Sequence, residues 1–171
     1  MYEENILIPE KKVKELNYNK AKIEEKCNVK LDIRSDGDVI ISGKDVLDCD
    51  LTKKIVKAIA RGFDVKDAMK LINEEYSLEL VDITDFKKIT RTSRKLMRAR
   101  VIGTDGKVKK TIEMMTKTHI SVSGKTVAII GKIENAFLAR RAVEIILSGH
   151  KQTSAYKFLR ESLEASKENS S

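Results

Sequence analysis

The chain has 171 residues and a formal net charge of +8; 41% of it is hydrophobic, 35% is charged, and it holds one proline and eight glycines. That size suits one domain or two small ones, with enough apolar residues for a packed core, and it excludes collagen-like or low-complexity architecture. No apolar run approaches the roughly 20 residues that cross a bilayer, and the opening MYEENILIPEKK, acidic and then apolar for only three residues, is not expected to act as a signal peptide. Cys27 and Cys49 are expected as free, buried thiols of a cytoplasmic protein.

Apolar periodicity gives the elements in chain order. The first half predicts a strand over 5–8, helices within 10–27, strands over 29–34 and 38–42, a helix over 45–61 and a trailing helix over 64–75. In the second half YSLELVD (76–82) alternates as a strand, and 86–101 carries helix formers. Residues 107–117 read as a helix with Val108, Ile112 and Met115 at helical spacing. Strands over 119–123 and 126–130 meet at the tight turn Ser123-Gly124-Lys125. A helix over 133–147 ends at Gly149, another covers 152–166, and the tail 167–171 reads as disordered.

The two halves repeat each other. IEEKCNVKLDIRSDGDVIISG (23–43) parallels IEMMTKTHISVSGKTVAIIG (112–131). Ile23 and Ile112 lie 89 apart, Gly43 and Gly131 lie 88 apart, and Gly62 and Gly149 lie 87 apart. Three landmarks at a nearly constant offset indicate one module used twice. The expected domains are 1–75 and 76–166.

Charge divides unevenly between them. Residues 1–75 hold 15 Lys/Arg against 16 Asp/Glu, and residues 76–171 hold 19 against 10. Within the second half, 87–110 carries ten cations (Lys87, Lys88, Arg91, Arg94, Lys95, Arg98, Arg100, Lys107, Lys109, Lys110) and one acid, Asp105. So local an excess is the footprint of a polyanion site.

Inside that block lies Gly103-Thr104-Asp105-Gly106, between two expected helices. Glycines without Cβ atoms admit a close sugar–phosphate backbone, and the following helix offers its free N–H groups and positive dipole end. Thr104 and those amides are the expected phosphate contacts. Arg98, Arg100, Lys107, Lys109 and Lys110 would supply charge, and Ile102, Ile112, Ile120 and Val122 an apolar groove for splayed bases.

The run VIGTDGKVKKTIE…HISVSGKTVAIIG resembles a KH domain, whose GxxG loop clamps about four nucleotides of single-stranded nucleic acid. Two strands after the GxxG helix fit the type I arrangement. With the tail SGHKQTSAYKFLRE, the whole chain is similar to the archaeal double-KH ribosome-assembly family, related to the eukaryotic Krr and Partner-of-Nob-one proteins. The resemblance implies an α+β fold of two tandem type I KH modules (βααββα), each with a trailing helix. It also implies a non-catalytic factor that binds the 3′ end of small-subunit rRNA. Its implied partners are the Nob endonuclease and the alpha subunit of archaeal initiation factor two. No cofactor or membrane is implied.

Two departures qualify it. Counting back from Ile23 puts Lys14-Glu15-Leu16-Asn17 where GxxG belongs, so the first module is expected to bind RNA weakly or not at all, and to pack on its neighbour or dock a protein. Asp105, expected with its loop neighbours to contact RNA, stands where KH loops often carry a basic residue. An enzyme is disfavoured: His119 and His150 are the only histidines, with no zinc spacing, P-loop or nucleophile elbow around them. The remaining alternatives are a KH regulator of mRNA or exosome function and an adaptor whose basic face docks a protein.

Overall fold

Alternating apolar residues and glycine-closed helices build two units, Met1–Glu74 and the segment from Glu75 onward. The structure is a computed structural model that describes residues 1–86 and 91–170. Lys87 and Lys88 of the basic block, and the start of the helix expected from 86, therefore lie outside the described residues.

The first unit runs β1 (Tyr2–Leu7), α1 (Glu10–Cys27), β2 (Val29–Ile33), β3 (Asp38–Gly43), α2 (Val46–Ala60) and a short α3 (Val65–Ala68) that tightens into a 3₁₀ turn over Met69–Ile72. Its sheet is antiparallel in the order β1-β3-β2. Period-2 alternation turns Leu31, Val39 and Ile41 inward, where they meet Leu16, Ile23 and Cys27 of α1 and Cys49, Ile55 and Ile59 of α2. Burial pushes both thiols above the ordinary cysteine value. The sequence led us to expect two helices within 10–27; the structure has one. Nothing in EKKVKELNYNKAKIEEKC breaks a helix, and Pro9 and Asn28 close its two ends.

The second unit runs β4 (Tyr76–Asp82), a 3₁₀ turn at Ile83–Asp85, α4 (Arg91–Ile102), α5 (Lys107–Thr116), β5 (His119–Ser123), β6 (Thr126–Lys132), α6 (Ile133–Leu147) and α7 (Gln152–Asn169). The sheet order is β4-β6-β5, again antiparallel. The core joins Val81, Val127 and Ile129 of the sheet to Val101, Val108, Ile112, Val143, Ile146 and Leu159 of the helices. Helix α7 continues through residues 167–169, which were expected as a disordered tail; its sequence holds no glycine or proline to stop it earlier.

The repetition extends to single bonds. Glu24 Oε1 accepts the Leu31 N–H at 2.8 Å, and Glu113 Oε2 accepts the Ile120 N–H at 3.0 Å. Both pairs tie the helix that precedes a hairpin to the hairpin's first strand, and both partners are 89 residues apart. Asn28 and Lys117 cap those helices in the left-handed region, at φ 56° and 55°. Gly62 and Gly149, at φ +108° and +100°, end α2 and α6 with the same pair of backbone bonds. Lys53 pairs with Glu4 at 2.6 Å, and Arg140 with Glu79 at 2.8 Å. The hydrogen bond to Glu79 holds the Arg140 guanidinium above its usual value, so it stays charged.

Candidate nucleic-acid interface

The Gly103–Gly106 loop turns the chain between α4 and α5. Helix α4 is stopped at Gly103, whose N–H donates to the Ala99 carbonyl at 2.8 Å. Gly103 has φ 76° and ψ 172°, a region open almost only to glycine. A Cβ there would strike the Val108 side chain and come within 2.8 Å of the Val108 nitrogen. Asp105 follows in the left-handed region (φ 55°, ψ 27°) and Gly106 likewise (φ 73°, ψ 14°). Asp and Asn tolerate that conformation better than most residues, which accounts for an acid at this place. A Cβ on Gly106 would meet only the distal end of Lys110. The two glycines thus differ: Gly103 is fixed by space and backbone, Gly106 by backbone alone.

Two of the amides expected to face a phosphate are closed on the loop itself. Gly106 N–H donates to Gly103 O at 3.1 Å, and Lys107 N–H donates to Thr104 O. The exposed offering is Thr104 and Asp105, with Lys107 and Lys110 beside them. Lys110 Nζ leans back onto the Asp105 carbonyl at 3.4 Å. The first turn of α5 holds no acid, so its positive end is uncompensated.

The other cations divide by direction. Arg98 donates from Nη1 to the carbonyl of Gly124, at the β5–β6 turn, at 3.2 Å. That bond ties α4 to the β5–β6 turn. Arg94 lies one turn earlier on the same helix face, and its Nε is buried with no hydrogen-bond partner among the described residues. Arg94 is part of the basic block and stands one turn before Arg98. Arg100 points elsewhere. It donates to the His150 carbonyl at 2.7 Å and lines, with Leu96, Gly103, Thr104, Ile146 and Lys151, a cavity of about 670 Å³. Lys109 is engaged by Glu113 at 3.4 Å, one turn on.

The apolar groove needs correction. Ile112 is fully buried and Ile120 is 4% exposed; both belong to the core. Helical period 3.6 places Ile112 directly under Val108, and alternation turns Ile120 toward the helices. Ile102 and Val122 are half-buried, Val122 packed against the core. His119 lies on β5 and His150 at the α6–α7 junction. Among the described residues no three His, Cys, Asp or Glu side chains cluster as a metal site.

Residues 78–164 match the model of the second KH domain of PNO1, a eukaryotic-type (type I) KH domain. The chain belongs to that family.

The KH relatives agree along most of the chain. A KH domain-containing protein of Methanocaldococcus jannaschii is 43% identical over 144 residues, 82% of this chain and 63% of that one. The RNA-binding protein PNO1 of Oryzias latipes is 36% identical over 106 residues, 61% of this chain and 44% of the relative. The chain therefore spans less than two thirds of the length of these relatives. Among solved structures, Dim2p of Pyrococcus horikoshii superposes with a TM-score of 0.84 at 34% identity, covering 94% of this chain and 99% of that one. The same protein in a complex with the initiation factor a/eIF2alpha and rRNA gives 0.85 at 33%, covering 94% and 93%. The fold is thus α+β and KH-like, and the GxxG loop sits within the matched segment.

Proposed function

We propose that this protein binds single-stranded RNA through the Gly103–Gly106 loop, and that its RNA is the 3′ end of small-subunit rRNA during ribosome biogenesis. The loop carries the reading: one glycine is obligatory, two exposed positions stand forward, and the cations of α4 and α5 flank them. Family membership supports it, as does the rRNA complex of Dim2p, a relative covered over nearly its full length. The first unit is read as a second, degenerate KH module that has lost its loop, so the chain is a tandem pair of type I modules. The protein acts without catalysis, in the cytoplasm. Its proposed partners are the Nob endonuclease and the alpha subunit of initiation factor two, the latter supported by the complex of the Pyrococcus protein.

The test compares an oligonucleotide of the rRNA 3′ end with a scrambled one, on the full chain and on Thr104→Asp. Selective binding lost in the variant supports both the site and the RNA. Equal, loop-dependent binding of both sequences keeps the site and removes the rRNA assignment. Binding indifferent to Thr104→Asp overturns the site. Intact RNA after long incubation with the protein alone is the expected result for a non-catalytic factor, and specific cleavage would contradict it.

A further inference from the structure

Helix α4 has two faces with different tasks. Met97 and Val101 turn into the core, while Leu96, Ala99, Arg100 and Gly103 share another face at helical spacing. That second face is one wall of the cavity of about 670 Å³ beside the loop, which Ile146 of α6 and the start of α7, Lys151 to Thr153, complete. The apolar part of the lining is aliphatic. Ile146 is buried, whereas Leu96 is 62% exposed, so it removes little apolar area from water and adds little to the core. The charged part of the lining is positive. Arg100 is held in place by its bond to the His150 carbonyl at 2.7 Å, and Lys151 is exposed. Helix α7 begins at the cavity with no side-chain cap and no acid in its first turn, so its positive end is uncompensated. No carboxylate among the described residues lines the cavity.

We propose that this cavity docks an acidic segment of a partner protein, with an aliphatic side chain seated against Leu96, Ala99 and Ile146 and flanking carboxylates on Arg100 and Lys151. Charge complementarity selects the acid: two cations and a helix N-terminus meet at one place with nothing negative to answer them. A concave apolar centre inside a polar rim is the form in which interfaces bury their anchors. The Arg100 guanidinium spends one donor on His150 and keeps others for a carboxylate. The lining favours a peptide over a further nucleotide of RNA. Sequence-tolerant base binding uses aromatic platforms, and no aromatic ring among the described residues lines the cavity. Gly103 and Thr104 form its edge, so a docked segment lies against the loop whether or not RNA is held there. The inference goes beyond the RNA-binding reading and does not rest on it.

The experiment measures fluorescence anisotropy of two labelled acidic peptides on the full chain. One has paired leucines among glutamates; the other has the same charge with alanines in their place. The leucine peptide is expected to bind at least about tenfold more tightly, the weight of one apolar side chain taken from water into a pocket. Leu96→Ser is expected to remove most of that preference and to leave the alanine peptide unchanged. Lys151→Gln is expected to weaken both peptides and to flatten their salt dependence. Leu96 and Lys151 are exposed, so unchanged melting separates these effects from misfolding. Equal binding of the two peptides, binding of neither, or a preference that survives Leu96→Ser would overturn the proposal. So would weakened binding of a long single-stranded RNA in both variants with peptide binding intact, which would make the cavity part of the RNA path. Failure of the loop reading is seen separately, as short-RNA binding indifferent to Thr104→Asp.

Discussion

The two units follow one plan up to a single point of divergence. Each ties the residue after its first strand to the hairpin turn: Ile8 N–H to Gly37 O at 2.9 Å, and Ile83 N–H to Lys125 O at 2.8 Å. Each also ties its hairpin to the preceding helix through a glutamate. Those two anchors lie 16 residues apart in the first unit, Ile8 to Glu24, and 30 apart in the second, Ile83 to Glu113. The fourteen extra residues account for most of α4, and the Gly103–Gly106 loop aligns with Lys14–Asn17 inside α1. In the first unit the chain passes from Pro9 straight into an 18-residue helix. The difference teaches that the sheet, the hairpin and the closing helix form a self-sufficient scaffold. The helix–loop–helix is where the two units diverge, and there two consecutive residues, Asp105 and Gly106, follow Gly103 at positive φ.

The sharpest break in that comparison is Gly103→Ala. The new Cβ would collide with the Val108 side chain and its backbone, in a conformation that costs a non-glycine residue about 1–3 kcal/mol before any clash. Thermal unfolding should show a large loss confined to the second unit, with RNA binding lost as well. Gly106→Asn meets only the distal end of Lys110, at ordinary contact distance, and a tolerated left-handed backbone, so its stability should change by less than about 1 kcal/mol. Equal damage from both would mean that space around Gly103 is not what selects glycine.

Charge gives the next effect. Thr104→Asp places a second acid on the exposed turn. Repulsion from one phosphate is worth about 1–4 kcal/mol at 4 Å, depending on the local dielectric, so affinity should fall about fivefold or more while melting holds. Asp105→Lys should do the reverse, tightening binding and steepening its salt dependence by about one phosphate contact. Lys117 already occupies the same left-handed backbone in this chain, so the exchange is tolerated sterically. Filter binding across a salt series reads both. Unchanged affinity for Asp105→Lys would mean that the loop does not face phosphates.

The smallest effect separates the units by pH. Cys27 and Cys49 are free and buried in the first unit only. Burial raises both thiols above 9.0, so the fold favours their protonated form. Their contribution is whole below the unfolded value near 9 and is lost as pH climbs from there through the folded values. Denaturation monitored on the first unit should therefore weaken above about pH 9, and Cys27→Ser with Cys49→Ser should flatten that limb. A fall in stability toward lower pH from these thiols would contradict their burial.

Much of this was legible in the sequence because glycine landmarks report backbone geometry. Gly62 and Gly149 mark the same helix cap, and Gly103 marks a turn that no other residue can make. The helices of the first unit were less legible, because composition cannot say whether a helical run is one helix or two when no breaker lies within it. The site's apolar residues were misassigned at Ile112 and Ile120 for a related reason. Periodicity identifies an apolar face, but a face that builds the core and a face that floors a groove have the same period. Arg100 could not be separated from Arg98 by charge alone; two positions along a helix rotate a side chain by about 200°, which sends one to the β5–β6 turn and the other to the α6–α7 junction.

The most direct test is photo-cross-linking of a four-nucleotide single-stranded RNA to the full chain, with the attached peptides mapped by mass spectrometry. The account predicts cross-links within residues 98–122, on the loop and on the flanks of α4, α5 and β5, and their loss in Thr104→Asp. Cross-links that fall in residues 1–74, or that persist at the loop in Thr104→Asp with undiminished yield, would contradict the claim that the second unit's GxxG turn is where the RNA is held.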